Sequence, residues 1–179
     1  MKRMKRKNKV SISYIIGVAL LIFALTVATS AYYTSGNDRI GIFPQELGGL
    51  KLVLYVDGAD AINEVERLHM GGVSPENAYI AQYSSDFDNV RFWISIVENA
   101  QVAQQQVDLM IEGMKKTTMF SQPVKLTIDE TAVYSTEDND GKFHYFFAKD
   151  NMVVWLSTEN PDVEHQKQLV KRSIEEIGI

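Results

Sequence analysis

A run of 22 uncharged residues, Val10–Ala31, follows a strongly basic segment and constrains this chain more than any other feature. Six of the first nine residues are Lys or Arg, and the first acidic residue is Asp38. An α-helix needs about 20 apolar residues to cross the hydrocarbon core of a bilayer, and basic residues flank such helices on the cytoplasmic side. We therefore predict a basic cytoplasmic flank at residues 1–9 and a transmembrane anchor at residues 10–33, which contacts the lipid bilayer through residues 10–31.

This topology places the bulk of the chain outside the cytoplasm, as the extracytoplasmic part of a single-pass protein of the cell membrane. A cleaved signal peptide is the alternative interpretation, because small residues at positions 28–31 suit a cleavage site. The apolar core of a signal peptide is usually about 7–15 residues long, which is shorter than the run found here. The length of the run therefore favours an uncleaved anchor.

The basic cluster is not typical of nucleic-acid binding, because the rest of the chain is acidic. Beyond residue 9 the sequence holds 12 basic residues and all 23 acidic residues. Such a body repels phosphate backbones, so we expect no nucleic-acid partner. The chain also has no cysteine, so packing alone must hold an exported domain together. The sequence also has no Asn-x-Ser/Thr glycosylation sequon, and this absence together with that of cysteine fits a prokaryotic envelope protein.

After a polar linker at residues 34–43, residues 44–179 show the strand and helix patterns of an extracytoplasmic α+β domain. Helices are predicted over residues 59–70, over residues 100–116 with Asn99 as the cap, and from Asn160-Pro161 onward. Strands are predicted over residues 51–56, 78–83, 90–97, 124–135 (with a possible break near Asp129-Glu130), 142–148 and 152–157. Because hairpins join most of the strands, we expect a largely antiparallel sheet with the helices packed on one face, preceded by one N-terminal transmembrane helix.

The familiar motifs of enzyme chemistry are missing from this sequence. It has no Gly-rich phosphate loop, no Gly-x-Ser-x-Gly elbow, no thiol and no His-Glu-x-x-His helix. We therefore predict no catalytic residue, no bound metal and no cofactor. The alternative is a metal-dependent hydrolase that uses His69, His144 and Glu66, since two imidazoles and a carboxylate suffice for a catalytic zinc site. In the competing interpretation, these histidines are hydrogen-bonded residues of the core.

The segment GKFHYFFAKDNMVVWLS, residues 141–157, is the most distinctive part of the outer domain. Alternate residues of a strand share a face, so Phe143, Tyr145 and Phe147 lie opposite His144 and its alternate neighbours. Neither face is polar, which indicates either a core covered on both sides or an aromatic face that binds a ligand or a protein. The candidate ligand-binding residues are His69, His144, Tyr145 and Trp155.

Two stretches of the chain resemble known groups of proteins. The first is carried by motifs that span most of the outer domain: Gly58-Ala59-x-Ala61-Ile62, Leu68-His69, His144-Tyr145-x-Phe147 and Val154-Trp155-Leu156-Ser157. On these residues the domain resembles an uncharacterised membrane-anchored extracytoplasmic domain family of archaea and some bacteria, a resemblance that implies no activity. The N-terminus is similar to the hydrophobic head of archaeal type IV pilin-like proteins, on the residues Val10-Ser11 and Ile16-Gly17-Val18. Those proteins are cut after a small residue that precedes the apolar run, a position that Lys9 occupies here.

Three functional hypotheses follow from the sequence. We predict a membrane-tethered extracytoplasmic module that binds a small ligand or an envelope protein and is not an enzyme. The first alternative is the metal-dependent hydrolase described above. The second is a pilin-like structural subunit of a filament.

Overall fold

The computed structural model of the protein describes residues 39–68 and 75–177. Its helices are α1 (Gly58–Leu68), α2 (Ala100–Met114) and α3 (Val163–Glu176). Its strands are β1 (Arg39–Ile40), β2 (Phe43–Pro44), β3 (Glu46–Leu47), β4 (Leu50–Asp57), β5 (Asn77–Ser84), β6 (Asn89–Ile96), β7 (Val124–Ile128), β8 (Thr131–Glu137), β9 (Phe143–Lys149) and β10 (Met152–Thr158). The predicted anchor, residues 10–33, lies outside the described residues. Within the described ranges, none of the helices has the length and apolar character that crossing a membrane requires.

Eight of the strands form one sheet in the order β3-β4-β5-β6-β10-β9-β8-β7, and each neighbouring pair is antiparallel. Strands β3 to β6 form one meander, and strands β7 to β10 form a second. The two meanders join where β6 pairs with β10, and helix α2 connects them along the chain. The predicted α+β fold with a largely antiparallel sheet is confirmed.

The largest core lies between α3 and one face of the sheet, which we call the α3 face. On this face the alternate residues of β6, Val90, Phe92 and Ile94, are fully buried. They pack with the apolar side of α3, which includes Leu169 and Val170. Helix α3 begins at Val163 because the carboxylate of Asp162 accepts hydrogen bonds from two backbone N–H groups of the first turn. The helix therefore starts two residues after Pro161, which was predicted to lie in its first turn.

Helices α1 and α2 pack on the opposite face of the sheet, which we call the α1–α2 face. Helix α1 buries Ala61 and Val65 against β5, and α2 buries Ala103 and Val107 against β9 and β10. The prediction that all helices pack on one face is therefore wrong. The physical reason is that both faces of the sheet carry clusters of buried apolar residues, so each face needs a covering layer.

Three local features bear on the sequence predictions. Asn99 caps α2 as predicted, since its side-chain oxygen accepts a hydrogen bond from the backbone N–H of Val102. The predicted strand over residues 124–135 is divided into β7 and β8 by Asp129-Glu130, which both have positive φ angles. Ile42 and Phe43, assigned to the linker at residues 34–43, are buried in the core of the α3 face.

Candidate functional site

A row of polar side chains crosses five strands of the α1–α2 face. The strand register places Arg91 of β6 between Gln82 of β5 and Ser157 of β10, and Ser157 lies beside His144 of β9. Thr136 of β8 is opposite His144 and completes this set, which we call the polar row. Because β6 and β10 are the two central strands, the row crosses the part of the sheet that is usually the most deeply covered.

A second row of large side chains runs alongside the polar row on the same face, two residues away along each strand. It consists of Ile80, Trp93, Trp155, Phe146 and Tyr134, in the same strand order as the polar row. The rings of Trp155 and Phe146 are stacked at 5.5 Å, as are those of Phe146 and Tyr134. The apolar clusters under α1 and α2 include this second row and leave out the polar row. The α1–α2 face therefore has an apolar half under the helices and a polar half beside them.

The polar half lines a cavity of about 360 Å³ that opens to solvent. Gln82, Arg91, Ser157 and His144 contribute the polar row, and Trp93 contributes part of the second row. The remaining lining residues are Asn89, Val90, Asp138, Asp140, Lys142 and Glu159. The volume falls at the lower end of the roughly 300–1,000 Å³ that is typical of small-molecule sites.

Arg91 is fixed in the cavity by contacts on two sides. Its Nη2 donates to Oε1 of Glu64 on α1 at 2.8 Å, and the same oxygen accepts from the indole N–H of Trp93 at 3.1 Å. The guanidinium carbon lies 5.0 Å from the centroid of the Trp93 ring, within the range of a cation–π contact. Arg91 Nε is buried and, within the described residues, has no hydrogen-bond partner. The side chain therefore has a fixed position and keeps donor capacity.

His144 uses both of its ring nitrogens. The indole N–H of Trp155 donates to Nδ1 at 3.0 Å, and Nε2 lies 2.9 Å from Oδ2 of Asp138. An indole nitrogen can only donate, so Nδ1 must be the acceptor and Nε2 must carry the proton. Burial lowers the pKa of His144, although its hydrogen bond to Asp138 opposes this effect. The imidazole is therefore neutral and has one fixed tautomer.

The rim of the cavity carries a second ion pair. Lys142 Nζ and Glu159 Oε1 are 2.9 Å apart. This contact raises the pKa of Lys142 and lowers the pKa of the Glu159 carboxyl, so both groups are charged at neutral pH. Asp138 closes the adjacent turn, since its Oδ1 accepts from the backbone N–H groups of Asp140 and Lys142. The rim therefore carries one ion pair and two further carboxylates, those of Asp138 and Asp140.

Two side chains of the polar row have no hydrogen-bond partner among the described residues, namely the amide of Gln82 and the hydroxyl of Ser157. Each can donate and accept. Ser157 is only 8% exposed, and its side chain lines the cavity. These two groups are available to a bound molecule without the loss of an existing contact.

The structure brings together two of the four predicted ligand-binding residues, His144 and Trp155. Tyr145 lies on the α3 face, where it is buried and its hydroxyl donates to Gln166, so it does not belong to the same site. His69 lies outside the described residues. Glu66, the third residue of the predicted hydrolase, lies on α1. Within residues 39–68 and 75–177, no three His, Asp or Glu side chains are close enough to hold a metal ion.

Gln82, Arg91 and Ser157 were not among the site residues predicted from the sequence. One signal for them was available, since β6 alternates Asn89, Arg91, Trp93 and Ser95 with four apolar residues. This pattern indicates a strand with one polar side. The pairing of β6 with β10, which places Arg91 beside Ser157, depends on contacts between distant parts of the chain and has no local signature.

No protein-family model, no curated protein and no solved structure matches this chain.

Proposed function

We propose that the folded domain is a small-ligand binding module whose site is the cavity over the polar row. The observation that carries this proposal is the position of Arg91 and Ser157 on the two central strands, with Gln82 on neighbouring β5, beneath an open cavity. A domain selected for stability alone would cover such strands with apolar side chains along their whole length. Here the covering helices leave one half of the face polar.

The fixed positions of the charged side chains support a binding role. Arg91 is oriented by Glu64 and by the ring of Trp93, and His144 is oriented from both sides. A site whose side chains are already ordered loses little conformational entropy when a ligand binds, and this favours affinity. The unpartnered groups of Gln82 and Ser157 then supply hydrogen bonds to the ligand.

The proposal includes the predicted tether. Residues 10–31 anchor the protein in the cell membrane, with the N-terminus in the cytoplasm and the binding domain outside the cytoplasm. The basic flank and the length of the uncharged run support this placement. The module then binds its ligand in the extracytoplasmic space while remaining at the membrane.

A thermal-shift screen of the full-length protein in detergent tests the binding role. The parent protein and the variant Ser157→Phe, which fills the cavity with a ring, are screened against the same library of polar metabolites. A ligand at one hundred times its Kd stabilises the native state by about 2.7 kcal/mol, which raises the melting temperature by several degrees. We expect at least one compound to raise the melting temperature of the parent and to leave that of Ser157→Phe unchanged.

A second cavity variant and a surface control make the screen specific to the cavity. Gln82→Phe obstructs the same cavity from another strand and should abolish the same shift. The control is Leu109→Phe, on the exposed surface of α2. Ser95→Phe would not serve as a control, because Ser95 is buried beneath the helices. If every stabilising compound acts equally on the parent and on both cavity variants, the cavity is not the binding site and the proposal is wrong.

A further inference from the structure

We infer that the ligand of this cavity is an uncharged polyhydroxylated molecule, a mono- or disaccharide. This inference rests on the proposed function, since it names the ligand class of the same site. It is carried by how the charges of the site are paired, by the two unpartnered groups and by the dimensions of the polar row.

The cations of the site are already neutralised by carboxylates. Arg91 pairs with Glu64 at 2.8 Å, and Lys142 pairs with Glu159 at 2.9 Å. An anionic ligand would have to compete with these carboxylates and would also meet the carboxylates of Asp138 and Asp140 at the rim. A cationic ligand would find the carboxylates of Asp138 and Asp140 only at the rim and would meet Arg91 on the floor. Neither an anionic nor a cationic ligand would therefore find an unpaired charge of opposite sign on the cavity floor.

Hydroxyl groups can bond to the hydrogen-bond donors and acceptors that the paired residues still have available. A guanidinium has five N–H donors and an ammonium has three, so each cation keeps donors after its ion pair has formed. The carboxylate of Glu159 and the side chains of Gln82 and Ser157 keep acceptor lone pairs. A saccharide hydroxyl both donates and accepts, so it can bind beside these pairs without breaking them. The site therefore recognises hydrogen-bonding groups rather than net charge.

The dimensions of the floor fit a small saccharide. Neighbouring strands are about 4.8 Å apart, so Gln82 and Ser157, two strands apart, span roughly 10 Å with Arg91 between them. Hydroxyls on opposite edges of one or two sugar rings can contact both groups. Trp93 also lines the cavity, where it holds Arg91 in place. A cavity of about 360 Å³ has no room for a long oligosaccharide.

Intrinsic tryptophan fluorescence of the full-length protein in detergent tests this inference directly. The chain has two tryptophans, Trp93 in the cavity lining and Trp155 in contact with His144. The neutral probes are glucose, galactose, N-acetylglucosamine, maltose, cellobiose and sucrose. The comparators with ionised groups are glucuronate, glucosamine, inorganic phosphate and the zwitterion glycine. Each titration is repeated at low and high salt.

We expect at least one neutral saccharide to change the fluorescence with a Kd that does not depend on salt, since no net charge is recognised. Ser157→Ala should weaken that binding by about tenfold, the usual consequence of losing one well-formed hydrogen bond. Ser95→Ala removes a buried hydroxyl from the same face beneath the helices and should leave the Kd unchanged. The charged comparator of the best sugar should bind more weakly than the sugar itself.

Two other outcomes are distinguishable. If phosphate, glycine or a charged sugar binds with an affinity that Ser157→Phe abolishes while no neutral sugar binds, the ligand class is wrong and the binding role stands. If no neutral saccharide binds, the inference is overturned. When the metabolite screen also yields no ligand that depends on the cavity, the proposed function fails with it.

Discussion

At the residue scale, His144 lies between a donor and an acceptor that together determine its protonation. Trp155 donates to Nδ1, and Asp138 accepts from Nε2. The doubly protonated ring would present a second N–H to the indole N–H, which has no lone pair to accept it. Burial acts in the same direction, so the pKa of His144 is lowered from its ordinary value of 6.5. Both ring nitrogens are occupied, which leaves none for a metal ion in this arrangement.

The substitution Trp155→Phe is therefore expected to raise the pKa of His144 relative to the parent. Phenylalanine preserves the stacking on Phe146 but removes the donor, so Nδ1 can take a proton while Nε2 stays bonded to Asp138. Long-range proton–nitrogen NMR of the imidazole across pH 4 to 8 measures this pKa. Trp93→Phe is the matched control, because it removes an indole N–H that donates to Glu64 and not to His144. An equal shift in both variants would contradict the assigned role of Trp155.

The lowered pKa of His144 also has a consequence for stability. Above pH 6.5 the histidine is neutral in both the folded and the unfolded chain, so its contribution to stability is fully present. Below that value the unfolded chain binds a proton more readily, and the free energy of unfolding decreases as the pH falls. Urea denaturation at pH 7 and pH 5.5 should show this loss in the parent and a smaller loss in His144→Gln. An identical loss in both proteins would assign the pH dependence to other groups.

Trp155 is expected to contribute more to stability than His144. Its ring stacks on Phe146 and makes an edge contact with Phe120, so Trp155→Ala removes a large apolar group from the cluster under α2. Because Trp155 is only partly buried, we expect a cost of about 3 kcal/mol, at the lower end of the usual range for aromatic truncations. His144→Gln keeps one polar partner and should cost about 1–2 kcal/mol. Urea denaturation ranks the two, with exposed Leu109→Ala as the control. A larger loss in His144→Gln would reverse this order.

At the element scale, the hairpin between β7 and β8 shows how one turn divides a strand. Asp129 and Glu130 have φ angles of 43° and 65°, the left-handed conformation that a two-residue hairpin turn requires. A side chain in this conformation carries a steric cost that glycine avoids. The local sequence predicted a break at this position. The sequence signal for a hairpin turn was weak, because Glu130 stands where glycine is usual.

Replacing Glu130 with glycine should stabilise the protein. The relief of strain exceeds the extra conformational freedom that glycine gives the unfolded chain, and we expect a gain of about 0.5–1 kcal/mol. The melting temperature of Glu130→Gly measures the effect. The control is Thr127→Gly in the same hairpin, where the backbone is extended and glycine should destabilise by a similar amount. Destabilisation by both substitutions would show that the turn is not strained.

Elements whose determinants are local were predictable from the sequence. The cap at Asn99, the strands β5, β6, β9 and β10, and the alternation of His144 with Tyr145 all follow from patterns within a few residues. The packing of α3 opposite α1 and α2 was not predictable in this way, because it depends on which strands become neighbours. The candidate site depends on the same information, since its row joins Gln82, Arg91 and Ser157 through pairings between distant strands.

At the scale of the whole molecule, the sequence combines an acidic folded domain with an N-terminal segment of opposite charge. The first nine residues hold six cations, whereas the rest of the chain holds 12 basic and 23 acidic residues. In the proposed topology the cations stay in the cytoplasm and the acidic body crosses the membrane, as the positive-inside rule requires. The absence of cysteine means that the folded domain depends on its two packed faces and on no disulfide.

The tether is tested by the mass and the accessibility of the full-length protein in a bacterial host. With an uncleaved anchor, we expect the protein in the membrane fraction at the mass of residues 1–179, with a C-terminal tag digested by external protease and an N-terminal tag protected. The matched variant replaces the six Lys and Arg residues of the flank with Gln, which should reduce correct orientation because the cations specify the cytoplasmic side.

A mature N-terminus near Tyr32 would show that the segment is a cleaved signal peptide, and one at Val10 would favour pilin-like processing. Digestion of the N-terminal tag with protection of the C-terminal tag would overturn the proposed orientation, and with it the extracytoplasmic position of the cavity.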